Sequence, residues 1–428
     1  MTMELVNLFD RRQILKWAGA APLIGYIATQ ELAEKAWGAV TKSAKDNIYT
    51  RIGVRPFING RGTWTYLSGS LELPEVKAAK QQAAAHFVDI IELQHAVGRR
   101  LAELTGAESG MITSGAAGAM ASATAACIAG RDPARIWQLP DTTGLKHEVI
   151  MHGGRSLFDS AIRLAGGKLV VAKTDDEVRP AINDNTAMIY TTTLGARLEK
   201  IIAVAKDAKV PLLLDDAAGI PPIDNMKLYA KMGADLYTFS GGKGLCGPQC
   251  SGVLLGRKDL LEAAILNTSP YEGAVCRPMK VGKEEIMGCL TAIETWMKID
   301  QNALDRQWNE RVERIRKLVD TVQGVKTDVF TPKDGNRYPT LVIGWDEESW
   351  GFTVAECDKL LRDGEPRIEV LTSANPSAVE QEDNNPKALK RRDRIEIVSM
   401  TLQPGEELVV GKRLREILSK AKKGAKAA

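Results

Sequence analysis

Residues 233–256, GADLYTFSGGKGLCGPQCSGVLLG, place a lysine among glycines between two apolar segments. The segments DLYTF and GVLLG have the aromatic and aliphatic composition of short buried strands. Four glycines lie within residues 241–247 around Lys243, and glycine lets a backbone bend sharply. We therefore expect a buried strand that ends near Lys243 and turns its amine toward a site at the edge of a sheet.

The sequence on both sides of this stretch predicts the architecture. From about residue 106 to 256, short apolar segments such as VPLLLDD alternate with helical segments such as SLFDSAIRLAGG. This alternation is typical of an α/β fold with a mostly parallel sheet and helical crossovers. After about residue 280 a long helical region precedes separated strands and a last helix, which indicates a smaller α+β domain. We predict a large domain over residues 51–282 and a small domain over residues 283–428, with residues 373–394 as an exposed polar excursion.

Composition argues against several classes of partner. The 57 basic and 54 acidic side chains leave a net charge of +3, so we expect no nucleic acid. The six cysteines include no C-x-x-C pair and no Cys/His cluster with metal-ligand spacing, so we expect no metal site.

The N-terminal segment resembles a twin-arginine export signal. Arg11 and Arg12 directly precede an apolar stretch, residues 17–28, that is short for a membrane span. We predict a signal over residues 1–30 and a connector over 31–50, with a periplasmic location, or a membrane-associated one if the segment stays uncleaved. The alternative is a cytoplasmic protein with an amphipathic helix at this position.

Three strand ends carry the candidate chemistry, because ligands of parallel sheets bind beyond the carboxyl ends of the strands. They are MITSGAAGAM at residues 111–120, VPLLLDD at 210–216 and DLYTFSGGK at 235–243. A helix that starts with small residues exposes backbone N–H groups that bind phosphate. Pyridoxal 5'-phosphate (PLP) needs such a phosphate site, a carboxylate for its ring nitrogen and a lysine amine for its aldehyde. The pattern predicts PLP bound by Lys243 and Asp216.

The same segments also resemble a known family. GMITSGAAGAM, LLLDDAAGIPP, GADLYTFSGGKGLCGPQCSGVLLGRKDL and RPMKVGKEEIMGCLTAIETW are similar to PLP enzymes related to selenocysteine synthase (seryl-tRNA selenium transferase), above all to the branch with D-glucosaminate-6-phosphate ammonia lyase. The resemblance extends from about residue 50 to the last helix. It implies the type I, aminotransferase-like PLP fold, a homodimer or higher homo-oligomer, and active sites at subunit interfaces.

The resemblance also suggests roles for individual residues. It implies that Lys243 forms the Schiff base, that Asp216 pairs with the pyridine nitrogen and that Ala218 lies under the ring. Positions that match the family's phosphate-binding residues are Ser114, Gly115, Ala116 and Ser240. The family carries a His-Arg pair where this chain has Gly154-Arg155, so either His152 contacts the ring or that contact is lost. The candidate arginines for the substrate's acid group are Arg61, Arg155 and Arg277, which the sequence does not rank.

The expected reaction is β-elimination with release of ammonia from an amino acid or an amino-sugar acid. The freed Lys243 amine is the expected base for the α-proton. One alternative is β-replacement of the selenium- or sulfur-transferase type, although the chain shows neither the transferase's N-terminal tRNA-recognition segment nor a basic surface for tRNA. The other is a non-catalytic protein that keeps the PLP fold. Racemisation, aldol cleavage and transamination share the first steps, and the substrate stays open.

Overall fold

The structure is a computed structural model that describes residues 47–372 and 393–427. The predicted signal (1–30), most of the connector (31–50) and nearly all of the excursion (373–394) lie outside the described residues. In the part of the chain that is described, no helix is both long enough and apolar enough to cross a bilayer.

The secondary structure follows the predicted alternation. The strands are β1 Phe57–Asn59, β2 Ser109–Ser114, β3 Glu148–His152, β4 Lys168–Ala172, β5 Thr186–Thr191, β6 Leu212–Asp215, β7 Leu236–Ser240, β8 Ser251–Gly256, β9 Lys326–Phe330, β10 Thr340–Gly344, β11 Arg367–Glu369 and β12 Ile395–Val398. Short 3-10 helices occupy Thr50–Ile52 and Thr65–Leu67.

The α-helices fill the connections between these strands. They are α1 Pro74–Ala84, α2 Ile90–Thr105, α3 Gly115–Ala129, α4 Pro133–Gln138, α5 Ser160–Leu164, α6 Asp175–Ala181, α7 Gly195–Ala208, α8 Asn225–Met232, α9 Lys258–Leu266, α10 Lys283–Trp296, α11 Gln301–Val319, α12 Glu347–Trp350, α13 Val354–Asp363 and α14 Glu406–Ala427.

A seven-stranded sheet forms the centre of the large domain, in the order β2-β8-β7-β6-β5-β3-β4. Strands β4, β3, β5, β6 and β7 pair in parallel. Strand β8 is antiparallel to both of its neighbours, β2 and β7. The predicted α/β class with a mostly parallel sheet is therefore confirmed.

The two faces of this sheet pack against different helices, because successive side chains of a strand point to opposite sides. Leu213, Leu236 and Leu254 belong to one apolar cluster together with the alanines of α3. Their chain neighbours on β6, β7 and β8 belong to a second cluster, which includes Met226 and Tyr229 of α8. We call these two sides the α3 face and the α8 face.

The C-terminal residues build a three-stranded antiparallel sheet in the order β12-β10-β9. Helices α11, α13 and α14 contribute to its apolar cluster, and so does Ile58 of β1. Strand β1 pairs in parallel with β11. The predicted extent of the large domain, 51–282, thus includes a strand whose partner lies in the small domain.

A connecting segment, residues 60–73, runs from β1 to the turn after β7. The backbone N–H of Ser70 donates to the Gly242 carbonyl at 3.0 Å, and the N–H of Leu73 donates to the Cys246 carbonyl at 3.0 Å. This connecting segment therefore joins the small domain to the turn that carries Lys243.

Candidate active site

The turn after β7 fixes the position of Lys243. A Cβ atom at Gly241 would lie 2.0 Å from Ser251 Oγ, and one at Gly244 would lie 1.8 Å from the Ile220 carbonyl oxygen. Only glycine fits at these two close approaches. Lys243 itself is half-buried, and burial lowers the pKa of its amine against the opposing effects of Asp215 and then Asp216. A neutral, nucleophilic amine is therefore easier to form here than on the surface.

The register of three strands places Ser240 beside the start of α3. Gly252 of β8 pairs with Thr113 on one side and with Ser240 on the other. A Cβ atom at Gly252 would lie 2.3 Å from the carbonyl carbon of Gly115 and 2.5 Å from the nitrogen of Ala116. The first residues of α3 thus pack directly on β8, one strand away from Ser240, as the predicted phosphate site requires.

The first turn of α3 has no side-chain cap. The carboxylate of Asp89 accepts the Ile91 and Glu92 N–H groups at the start of α2, whereas Ser114 makes no capping bond at the start of α3. A Cβ atom at Gly115, where φ is +70°, would meet no described atom within 4 Å. The first N–H groups of α3 therefore have no side-chain acceptor at the cap position, and such uncapped groups suit an anion.

Asp215 is the carboxylate on the α3 face. It is the last residue of β6, two positions after Leu213, so its side chain shares the face of Leu213 and α3. The hydroxyl of Tyr190 donates to Asp215 Oδ2 at 2.8 Å, and the N–H of Ala217 donates to Oδ1 at 3.2 Å. Of the two aspartates, Asp215 has the larger effect on the pKa of Lys243.

Asp216 lies on the α8 face, contrary to its predicted role. Tyr229 of α8 donates its hydroxyl to Asp216 Oδ2 at 2.6 Å. Burial raises the pKa of Asp216 to about 6, although the Tyr229 hydrogen bond opposes this rise. The assignment of Asp216 as partner of the ring nitrogen conflicts with this geometry, because one step along the chain moves a side chain to the other side of the sheet.

His152 is also on the α8 face. Its Nδ1 lies 2.9 Å from Thr191 Oγ1, and its Nε2 lies 2.9 Å from Asp175 Oδ1. Asp175 in turn accepts a hydrogen bond from Arg197, and the His152 ring is buried. Both ring nitrogens are thus engaged on the side of the sheet away from α3, so the expected contact of His152 with the cofactor conflicts with the structure.

Comparisons of the sequence with known proteins identify the family of the chain. The sequence model described as Aminotransferase class-V matches residues 172–343. The 5'-C-glycyluridine monooxygenase-decarboxylase of a Streptomyces species is 30% identical over 339 residues, which cover 75% of this chain and 83% of that protein. The chain belongs to this family of PLP enzymes.

Other members show the breadth of the family. D-glucosaminate-6-phosphate ammonia lyase of Salmonella typhimurium is 29% identical over 75% of this chain and 88% of that protein. A solved structure of D-glucosaminate-6-phosphate ammonia-lyase superposes with a TM-score of 0.72 at 27% identity, over 88% of this chain and 99% of that chain. L-seryl-tRNA(Sec) selenium transferase of Moorella thermoacetica is related at 22% identity. The resemblance to the ammonia lyase branch and the type I PLP fold are thereby confirmed.

PLP is the cofactor of the family, and the α3 face fits it. The uncapped start of α3 and Ser240 are donors for a phosphate, and Asp215 is an acid on this face whose charge acts on the Lys243 amine, the pKa of which burial lowers. The chemistry of this donor set matches the three parts of PLP that need a partner.

The residue that connects this set is Ala217. Its N–H donates to Asp215, and its carbonyl accepts the N–H of Ser240 at 3.1 Å. Ala218, the residue predicted to lie under the ring, has a carbonyl that accepts the Asn336 N–H at 2.8 Å. Ala218 thus contacts the loop between β9 and β10, and its place under the ring stays a prediction.

The three candidate arginines lie in different elements. Arg61 is buried, donates to the Val370 carbonyl at 3.0 Å and lies over the rings of Trp64 and Tyr66. Arg155 forms a two-bond ion pair with Asp159.

Arg277 lies in the loop before α10, where Met279 Sδ is 3.8 Å from the Cβ position of Gly118 in α3. Among the described residues, no carboxylate pairs with Arg277. Of the three arginines, Arg277 is therefore the one without an ion pair or hydrogen-bond partner of its guanidinium among the described residues, and its role stays a prediction.

The sequence did not identify three residues near the candidate site: Asp215 and Tyr190 on the α3 face, and Phe158 in the loop after β3. Asp215 was passed over because two aspartates in a row share one motif and the facing of each depends on register. Tyr190 lies within the apolar strand AMIYTTT, where only its hydroxyl hints at a polar partner. Phe158 lies in a loop, with Lys243 Nζ 5.9 Å from its ring centroid. The sequence feature that could have pointed to Phe158 is that it is a large apolar residue among the polar and glycine residues after β3.

Proposed function

We propose that the protein is a PLP-dependent lyase that removes the β-substituent of an amino acid or amino-sugar acid and releases its nitrogen as ammonia. One observation carries the proposal: Asp215 lies on the face of the sheet that carries the uncapped start of α3, and of the two aspartates it has the larger effect on the pKa of Lys243. The similarity to an ammonia lyase over 88% of that protein's length supports this reaction class.

Each residue of the α3 face has a task in this proposal. Ser240 and the first N–H groups of α3 hold the phosphate, and Asp215, which accepts the Tyr190 hydroxyl, faces the ring nitrogen and keeps it protonated. Bound PLP supplies an electron sink for the bond broken at the substrate's Cα. The Lys243 amine, whose pKa burial lowers, accepts the α-proton in its neutral form.

The reaction balances without an oxidant or a reductant. The substrate loses a proton from Cα and a hydroxide from Cβ, which together leave as water. Hydrolysis of the resulting enamine or imine consumes one water and gives a 2-oxo acid and ammonia. A substrate with a β-hydroxyl group therefore yields both products in equal amounts with no net change in water.

The test is a panel of D- and L-amino acids and amino-sugar acids, with and without a phosphate ester, incubated with PLP-loaded protein. We expect equimolar ammonia and 2-oxo acid from at least one β-hydroxy substrate, and neither product with Lys243→Ala. Release of neither product from the whole panel would overturn the proposal.

A second candidate reaction is oxidative decarboxylation. The relative at 30% identity is named a monooxygenase-decarboxylase, so its similarity is as strong as that of the ammonia lyase. An oxygen electrode separates the two. Consumption of O₂ together with release of CO₂ from an amino acid favours oxidation, whereas ammonia release that is unchanged under argon favours elimination.

β-Replacement is tested in the same assay by adding a thiol or selenide nucleophile. The transferase of Moorella thermoacetica at 22% identity motivates this arm. A product that keeps its amino group and gains sulfur or selenium at Cβ identifies a transferase, whereas unchanged ammonia release supports the lyase.

We also propose that the chain leaves the cytoplasm by the twin-arginine route, a route for folded proteins, so that PLP is bound before transfer. The Arg11-Arg12 pair and the apolar stretch at 17–28 support this proposal. Cell fractionation of the wild-type chain and of the Arg11→Lys, Arg12→Lys double variant tests it. Full retention of the wild type in the cytoplasm would contradict it.

A homodimer or higher homo-oligomer is the proposed assembly. At the turn between α1 and α2, Phe87 is fully exposed and Val88 is 49% exposed, which supports an apolar contact with a second copy. Sedimentation of the PLP-loaded protein tests this proposal, and a monomer at micromolar concentration would contradict it.

A further inference from the structure

Phe158 presents an exposed aromatic ring to the candidate site. Its side chain is 55% exposed, although a phenyl ring gains free energy when it is removed from water. The Lys243 ammonium lies 5.9 Å from the centroid of this ring. An apolar ring close to the reactive amine is thus left more than half exposed by the described residues.

The loop that carries Phe158 is anchored on both sides of the ring. Asp159, only 3% exposed, pairs with Arg155 and with Arg163. The N–H of Phe158 donates to Ser156 Oγ at 3.2 Å. These contacts hold the backbone around the ring in place.

The same loop is linked to the acid of the α3 face. Ser156 Oγ lies 3.4 Å from the hydroxyl of Tyr190, and that hydroxyl donates to Asp215 at 2.8 Å. The loop of Phe158 is therefore linked to Asp215 through Ser156 and Tyr190, and its ring lies 5.9 Å from the Lys243 amine. Exposure of the ring is a property of an ordered loop.

We propose that Phe158 stacks on the pyridine ring of PLP and positions the cofactor against the Lys243 turn. Stacked aromatic rings lie with their centroids about 4.5–7 Å apart. The Lys243 Nζ lies at a similar distance, 5.9 Å, from the Phe158 centroid, so a ring stacked on Phe158 would come within reach of the amine. The inference rests on PLP as the cofactor and is independent of the reaction that follows.

This contact also accounts for Gly153 and Gly154. Both have positive φ angles, +86° and +112°, and a Cβ atom at either would meet no described atom within 4 Å. They turn the chain after β3 and leave the stacking contact to a residue further on. A phenyl ring neither donates nor accepts a proton, so Phe158 holds the cofactor and leaves proton transfer to Lys243.

The test is titration of the full-length apoprotein with PLP, followed by the visible absorption of the lysine-bound cofactor. We expect Phe158→Ala and Phe158→Leu to weaken PLP binding by roughly 3- to 10-fold and Phe158→Trp to restore it to within about 2-fold. Leu157→Ala is the matched control, because Leu157 is the neighbouring residue and is 57% exposed. It should bind PLP like the wild type.

Wild-type affinity in both Phe158→Ala and Phe158→Leu would overturn the proposal. So would retention by leucine alone, which would indicate apolar cover without stacking, or an equal loss in Leu157→Ala. Thermal unfolding of each variant without PLP checks that the fold is kept. If the wild type binds PLP but releases no ammonia from any substrate, the proposed lyase activity fails and the conclusion on Phe158 stands.

Discussion

The two faces of the central sheet carry similar residues at the same edge, but these residues have different surroundings. On the α3 face, Asp215 accepts a tyrosine hydroxyl next to Lys243 and an uncapped helix start. On the α8 face, Asp216 also accepts a tyrosine hydroxyl, but from a helix packed over it. Both carboxylates are buried, so the comparison teaches that the face of the sheet separates them: Asp215 lies on the face that we propose for the cofactor, whereas Asp216, one position on, pairs with a tyrosine of α8.

The largest expected effect belongs to Lys243, whose amine is both the proposed base and the proposed bond to the cofactor. Lys243→Ala should lower ammonia release by roughly 10³-fold or more, since general-base catalysis contributes about 10² to 10⁴, and should abolish the visible absorption of lysine-bound PLP. Lys243→Arg is the control that keeps the charge, and it should be equally inactive. Residual activity above one tenth of the wild type would contradict the site.

The comparison between the faces is tested most directly by the two aspartates. Asp215→Asn should lower activity by roughly 10²-fold, because it removes a fixed charge at the reacting ring. Asp216→Asn should stay within about 3-fold, because its partner Tyr229 belongs to the α8 face. Steady-state rates at saturating PLP give both values. The reverse ranking would restore the assignment made from the sequence.

Asp216 should instead affect how the free energy of unfolding depends on pH. Its pKa is about 6 in the fold against 3.8 as the ordinary value, so the folded state binds the proton more tightly. The contribution of Asp216 to the free energy of unfolding is therefore highest below pH 4. It falls as the pH rises through 6, by about 3 kcal/mol in total.

Urea unfolding of the PLP-loaded wild type and Asp216→Asn across this range measures the effect. The difference between the two should grow from pH 4 to pH 7 in favour of the variant. Parallel curves would show that Asp216 is not the source of the effect.

The smallest expected effect concerns the phosphate site. Gly252→Ala should weaken PLP binding by roughly tenfold, because an overpacked core typically costs about 1–3 kcal/mol and the new methyl group would displace the start of α3. Gly344→Ala in β10 is the matched control, since a Cβ atom there would meet no described atom within 4 Å. Equal PLP affinities for both variants would argue against the phosphate site at α3.

Local sequence signals predicted the elements whose causes are local. The glycines around Lys243 marked a tight turn, and the close approaches at Gly241 and Gly244 supply the reason. The small residues after Ser114 marked an open helix start, which the missing cap confirms. Alternating segments were enough for the mostly parallel sheet.

The rest depends on register between distant strands. Whether Asp215 or Asp216 faces α3 follows from the pairing of Leu213 with Leu236 and from the helices that cover each side. His152 was a candidate for the contact with the cofactor ring because it is close in sequence to Gly154. Its hydrogen bonds to Thr191 and Asp175 hold it on the α8 face. The pairing of β1 with β11 joins residues more than three hundred positions apart, and no local sequence pattern predicts such a pairing.

The connecting segment at residues 60–73 gives the molecule a mechanical link. One end continues from β1, which is hydrogen-bonded to β11 of the small domain, and the other end is bonded to Gly242 beside Lys243. A rotation of the small domain would therefore pull on the backbone of the lysine turn and shift the position of the reactive amine.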